Sequence, residues 1–259
     1  MKIAIIGAGA FGTALGGILA NKGYDIDYYD SKFGRENLND VVDGAKYIVL
    51  ALPSKSTPYV LPHLPKKIPL IIATKGILSN QAFKDFDDYM ILSGPGFADD
   101  IKAKKSIKLT ITDKRLAKMF DAEYIAFDYT DDENGVLMCG ALKNVYAILA
   151  GILGLKRSGN DWKYFVEMAA SEMKKILAFN GANPKTVDLA CGFSDLKLTC
   201  GYPSRNYEFG DKLRKDPDYL PEKTVEGVSA LKRIKRGEIK LPDNVPYLRD
   251  LISRSDKWA

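Results

Sequence analysis

Histidine is almost missing from this 259-residue chain: His63 is the only one. It lies between Pro62 and Pro65, which all but excludes a histidine-based triad or a His-rich metal site, and no metal is expected. Cysteine is sparse too. Cys139, Cys191 and Cys200 form no CxxC pair, and an odd, scattered count argues for a reducing compartment without a disulfide framework. No apolar run approaches the ~20 residues of a membrane span. No signal peptide is expected before Met1–Ile6, which runs straight into a glycine loop. Strong charge of one sign is also lacking, since the net charge is only +5. The basic run Lys232, Arg233, Lys235 and Arg236 therefore reads as a solvated helix face rather than a nucleic-acid patch. A mild positive field does suit a binder of small phosphates.

The first half alternates short apolar runs with helical stretches. Ile3–Ile6, Ile26–Tyr29, Tyr47–Ala51, Leu70–Ala73 and Met90–Leu92 read as strands, with Ile107–Ile111 and Tyr124–Phe127 as weaker candidates. Most are apolar throughout, as parallel strands covered on both faces are. Phe11–Lys22 reads as a helix ended by Gly23. This pattern predicts an α/β, doubly wound parallel sheet. From about residue 129 the chain turns helical, with Val136–Ala150, Trp162–Phe179, Val225–Ile234 and Tyr247–Ile252 as helices. The expected domains are residues 1–128 and an all-helical 129–259.

Gly7-Ala8-Gly9-Ala10-Phe11-Gly12 follows the first strand and opens the first helix. The first glycine permits the tight turn, the second lets a pyrophosphate approach the backbone, and the third lets helix and strand pack closely. The helix N-terminus adds free N–H groups and a positive dipole. Asp30 ends the second strand, about where a carboxylate meets the adenosine ribose and repels a 2′-phosphate. The spacing favours NAD, while Lys32 and Arg35 keep NADP open.

Eight blocks then occur in order: Gly7–Leu15 (GAGAFGTAL), Val49–Ser54 (VLALPS), Thr74-Lys75-Gly76, Ser93–Ala98 (SGPGFA), Gly140–Ala147 (GALKNVYA), Asp195–Cys200 (DLKLTC), Ser204-Arg205-Asn206 and Val225-Glu226-Gly227. Together the chain resembles the NAD(P)-dependent glycerol-3-phosphate dehydrogenase family, as a shortened member. The resemblance implies a Rossmann domain, a helical substrate domain and an active site in the cleft between them. It also implies hydride transfer between NAD(H) and the dihydroxyacetone phosphate/sn-glycerol 3-phosphate pair, for phospholipid synthesis. Its members are commonly cytoplasmic homodimers, with neither a membrane segment nor nucleic acid involved.

Ketone reduction needs a proton donor, and with His63 set aside the residue types left are Lys, Tyr or a carboxylic acid. The resemblance selects Lys143, whose burial on an apolar helix would lower its pKa. It selects Asp195 to hold Lys143 or a substrate hydroxyl, with Thr199 on the same helical face. It selects Lys75 to polarise the carbonyl and touch the cofactor. Ser204, Arg205 and Asn206 become the phosphate clamp, with Arg205 also reaching the pyrophosphate. Gly94, Gly96 and Ala98 let backbone approach the ligands, Ala98 and Glu226 falling on the cofactor side. Departures from the family are the shortened segment Ser31–Lys46, Gly96 in place of a hydroxyl residue, and the unusual wording of Gly154–Tyr164. Two other readings remain: another two-domain hydroxyacid or phosphosugar dehydrogenase, which shares the architecture, and a non-catalytic NAD-binding sensor, which needs the glycine loop but no proton donor.

Overall fold

The computed structural model describes residues 1–30, 37–96, 98–201 and 203–259. Lys32 and Arg35, and with them the start of the shortened Ser31–Lys46 segment, lie outside the described residues. The chain divides into two compact units. The first comprises Met1–Thr74 and Asn80–Asp131, the second Lys75–Ser79 and Asp132–Ala259. The longer stretch of the second unit begins at Asp132, just after β7 (Ile125–Tyr129).

The first unit holds a seven-stranded sheet. β1 (Lys2–Ile6), β2 (Asp25–Tyr29), β3 (Tyr47–Leu50), β4 (Leu70–Ile72), β5 (Tyr89–Ser93), β6 (Ile107–Ile111) and β7 lie in the order β2-β1-β3-β4-β5-β6-β7. Ile3, Ala4, Ile5 and Ile6 are all fully buried. Successive side chains of a strand point to opposite faces, so both faces of β1 are covered. α1 (Ala10–Asn21) links β1 to β2, and Gly23, at φ +83°, ends it. The shorter helices α2 (Leu38–Val42), α3 (Thr57–Val60), α4 (Ala98–Lys102) and α5 (Lys114–Met119) complete the unit. Its core joins Ile5, Leu15, Leu19, Val49, Ile71, Leu92, Leu109 and Phe120.

This is a Rossmann-type sheet with one departure from the expected all-parallel arrangement. β5 and β6 are antiparallel, paired through Leu92 with Ile111 and Ser93 with Thr110, and β6 and β7 are parallel to each other. An apolar run reads the same in either direction, so the reversal leaves no mark on hydrophobic pattern. His63, expected in a loop, ends a short 3₁₀ turn over Leu61–His63.

The second unit is built round α6 (Glu133–Ile152), with α7 (Asn160–Phe179), α8 (Asp195–Thr199), α9 (Arg205–Lys215), α10 (Glu226–Lys235) and α11 (Pro246–Ser253). Asp132 caps α6: its Oδ1 accepts from Gly135 N at 3.1 Å and its Oδ2 from Asn183 N at 3.0 Å. Val136 through Gly151 are buried without interruption, and a helix apolar all round must be enclosed. That corrects the expectation that no run is long enough for a span. Among the described residues α6 has both the length and the apolarity of one, but it is the core helix of its unit. α9 crosses α6 at backbone contact. A Cβ on Gly210 would overlap the Ile148 carbonyl, and one on Gly151 the Tyr207 carbonyl. α9 was not read from sequence, and neither was the π-helical turn Ala190–Ser194 that leads into α8.

A buried carboxylate braces this unit. Glu172 on α7, 1% exposed, accepts from Tyr146 Oη at 2.8 Å on α6. It also accepts from the N–H groups of Tyr247 (2.8 Å) and Leu248 (3.1 Å) in the first turn of α11. Pro246 precedes these two residues and brings no N–H of its own, so Glu172 serves the first two N–H donors of α11.

Candidate active site

In the first unit the glycine loop lies where β1 meets α1. The order β2-β1-β3 makes β1/β3 the switch point of the sheet, and open α/β sheets take their ligands there, beyond the strand C-termini. Gly7 has φ +112°, and a Cβ on it would meet the Ala51 carbonyl. A Cβ on Gly12 would overlap the carbonyl oxygen of Gly7 itself. Gly9 differs: nothing lies within 4 Å of where its Cβ would be. The open space at the second glycine is what a diphosphate needs. Gly9 caps α1 without a side-chain hydrogen bond, and the first turn carries no acid, so the positive end of the helix dipole at this loop favours an anion. Asp30 is drawn to this loop, its Oδ2 accepting from Ala8 N at 3.0 Å. These features fit a dinucleotide.

Gly94 and Gly96 also lie in the first unit. Gly94 has φ +143°, and its missing side chain makes room for the backbone of β6: a Cβ would come 3.1 Å from Leu109 Cα and Lys108 O. Close packing therefore accounts for that glycine whether or not a ligand approaches. Gly96 meets only side-chain atoms at ordinary contact distance. Ala98 begins α4 and is half-buried.

In the second unit four of the expected residues converge. Lys143 sits mid-helix on α6, 2% exposed, and Asp195 opens α8, fully buried. Lys143 Nζ lies 2.5 Å from Asp195 Oδ1 and donates to Thr199 Oγ1 at 3.3 Å. Thr199 in turn donates to the Asp195 carbonyl oxygen at 2.6 Å. Lys75 Nζ approaches the other carboxylate oxygen, Oδ2, at 3.8 Å. That is within ion-pair range but beyond a hydrogen bond, and Oδ2 is the one buried side-chain polar atom among the described residues with no hydrogen-bond partner. Leaving such an atom unmet costs about 1–3 kcal/mol, so Oδ2 marks a position where a hydroxyl donor gains the most.

Burial brings the Lys143 ammonium down to about 7, against the pull of Asp195 and with a further push from the nearby Lys75 charge. A lysine in that range donates and accepts protons at neutral pH. The neighbouring Cys200 thiol is driven up by burial and stays protonated. Trp162 Nε1 donates to the Cys200 carbonyl at 2.6 Å and fixes the end of α8.

The Ser204-Arg205-Asn206 run divides. Arg205 is exposed at the start of α9. Ser204 is buried and caps that helix, its Oγ accepting from Tyr207 N at 3.5 Å. Asn206 is buried inside a chain of amides: its Nδ2 donates to Asn144 Oδ1 at 2.8 Å and its Oδ1 accepts from Gly227 N at 2.9 Å. Asn144 Nδ2 closes the chain on the Gly140 carbonyl at 3.0 Å. This clasp ties α6, α9 and α10 together beside Lys143, and it leads to Glu226, half-buried in the first turn of α10. Asn144 was not singled out from sequence, although it adjoins Lys143 in the same block.

Residues 132–246 match the family model for the NAD-dependent glycerol-3-phosphate dehydrogenase C-terminus. A glycerol-3-phosphate dehydrogenase [NAD(P)+] of Leptospira biflexa is 34% identical, over 83% of this chain and 80% of that protein. One of Myxococcus xanthus is 30% identical over 100% and 94%. Among solved structures, Coxiella burnetii glycerol-3-phosphate dehydrogenase superposes with a TM-score of 0.80 at 22% identity, covering 99% of this chain and 96% of that one. The Plasmodium falciparum protein gives 0.82 at 19% identity, covering 99% and 92%. Both share the fold. The chain belongs to the NAD(P)-dependent glycerol-3-phosphate dehydrogenase family.

Proposed function

We propose that the chain interconverts dihydroxyacetone phosphate and sn-glycerol 3-phosphate with NAD(H), NADP(H) being the alternative cofactor, and so supplies glycerol 3-phosphate for phospholipid synthesis. The observation that carries this is Lys143: buried, 2.5 Å from Asp195, and brought to about 7. When bound, the reduced nicotinamide supplies the hydride. Lys143 gives its proton to the carbonyl oxygen as that oxygen becomes an alkoxide, and takes one back in the oxidation direction. Asp195 holds Lys143 through Oδ1 and accepts a substrate hydroxyl at the unmet Oδ2. Thr199 steadies the pair. Lys75 adds positive charge where negative charge develops. Arg205, with its exposed planar fork, takes the substrate phosphate and reaches the cofactor pyrophosphate.

Gly7, Gly9, Ala10, Phe11 and Gly12 hold the pyrophosphate, and Asp30 the adenosine ribose. Glu226 serves the adenosine end, and Gly94, Gly96 and Ala98 present backbone. Ser204 and Asn206 add to the phosphate site through the α9 N-terminus they shape. Three buried cysteines outside any disulfide support a reducing, cytoplasmic setting, and a homodimer is the proposed assembly. The test is NADH oxidation with dihydroxyacetone phosphate, with Lys143→Ala as the control. Turnover abolished by the substitution supports the reading. Tight NADH binding without turnover on any three-carbon phosphate points instead to a sensor.

A further inference from the structure

Within the basic run of α10, Arg233 departs from the solvated face read in the sequence. Its Nη1 donates to the carbonyl oxygen of Gly76 at 3.0 Å, across 157 positions of chain. Its Nε and Nη2 both lie 2.7 Å from Glu238 Oε2, and its side chain is 25% exposed. A guanidinium carries its donors in one rigid plane. With one edge held by Glu238, the remaining Nη1–H is aimed at Gly76. That carbonyl belongs to the residue directly after Lys75, which faces Asp195. Lys75–Ser79 has neither helix nor strand to hold it, yet it belongs to the compact helical unit.

We infer that Arg233, oriented by Glu238, is a positioning residue: it anchors the Lys75 loop at Gly76 and so keeps the Lys75 ammonium beside Asp195 and Lys143. The inference rests on the reading of Lys143 as the proton donor. The groups facing Lys143 are Asp195 from α8, the Cys200 thiol just after that helix and Lys75 from this loop. Of the two charges, Asp195 raises the proton affinity of Lys143 and Lys75 lowers it. Releasing the loop withdraws the Lys75 charge, so Lys143 holds its proton to higher pH.

The experiment compares wild type, Arg233→Met, Glu238→Gln, Lys75→Met and the Arg233→Met/Lys75→Met double variant, with exposed Lys232→Ala as the control. Two readouts are taken: kcat/KM for NADH oxidation with dihydroxyacetone phosphate, and the Lys143 titration midpoint from NMR of isotope-labelled lysine. Arg233→Met should lower kcat/KM by about 10- to 100-fold, the usual scale for a group displaced by an ångström, and move the midpoint upward. Glu238→Gln, which retains the shape, should do both to a lesser degree, and Lys232→Ala neither. With Lys75 already removed, Arg233→Met should leave the midpoint where it is. A midpoint unmoved by Arg233→Met in the folded protein overturns the inference, whatever the activity does, and so does an equal shift with and without Lys75. The titration needs no substrate. Absence of wild-type turnover would therefore count against the proposed reaction, while the midpoints still decide the role of Arg233.

Discussion

The glycine loop and the Lys143 cluster are made of opposite materials. The loop between β1 and α1 is defined by side chains that are missing: Gly12 has no room for one, and Gly9 has room that nothing fills. The cluster on α6 and α8 is defined by charged side chains buried where charge is costly. The first offers N–H groups and a dipole, which bind phosphate without taking part in bond-making. The second offers a proton near pH 7. One is therefore damaged by adding atoms and the other by removing them, and damage to each should appear in a different measurement.

The largest expected effect is on the cluster. Lys143→Ala should lower turnover by ~10²-fold or more, the scale of a lost general acid, with NADH affinity by fluorescence titration nearly unchanged. A matching loss of NADH affinity would break the division. Arg205→Ala comes next. Loss of a hydrogen bond to a charged group is worth about 1.5–3 kcal/mol, so the apparent affinity for dihydroxyacetone phosphate should fall about 10- to 100-fold. Steady-state kinetics that leave KM unmoved would remove Arg205 from the phosphate site.

On the loop side, Gly12→Ala should destabilise the fold by about 1–3 kcal/mol, as overpacking does, read by urea unfolding. It should also weaken NADH binding, because the new Cβ pushes on the Gly7 carbonyl. The smallest effect on stability belongs to Gly9→Ala, within ~0.5 kcal/mol of wild type as for an unconstrained surface position. Its NADH affinity should nonetheless fall. If affinity held as well, the open space at Gly9 would not be where the diphosphate approaches.

The two regions also differed in how far sequence revealed them. The sheet was legible because buried parallel strands are short apolar runs, and β1 to β5 fall within a residue or two of the expected spans. The direction of β6 and β7 was not, since apolarity has no polarity along the chain. Lys143, Asp195 and Lys75 were found through blocks of neighbouring residues, and they do meet in space. What the blocks could not convey is that Asn206 is held in a clasp with Asn144 and Gly227, because an amide in sequence does not reveal what its two ends face. Arg233 was misread for a related reason. A run of basic residues reads as a solvated face, and only the fold brings Gly76 to it.

The account turns on Lys143 changing protonation near neutral pH while buried against Asp195. An NMR titration of the Lys143 side chain in the folded protein measures this directly. Desolvation should set the midpoint at about 7, against the ordinary 10.5, and Asp195→Asn should move it lower still, since the carboxylate favours the charged form. A midpoint at the ordinary lysine value, or an upward move in Asp195→Asn, would contradict the account.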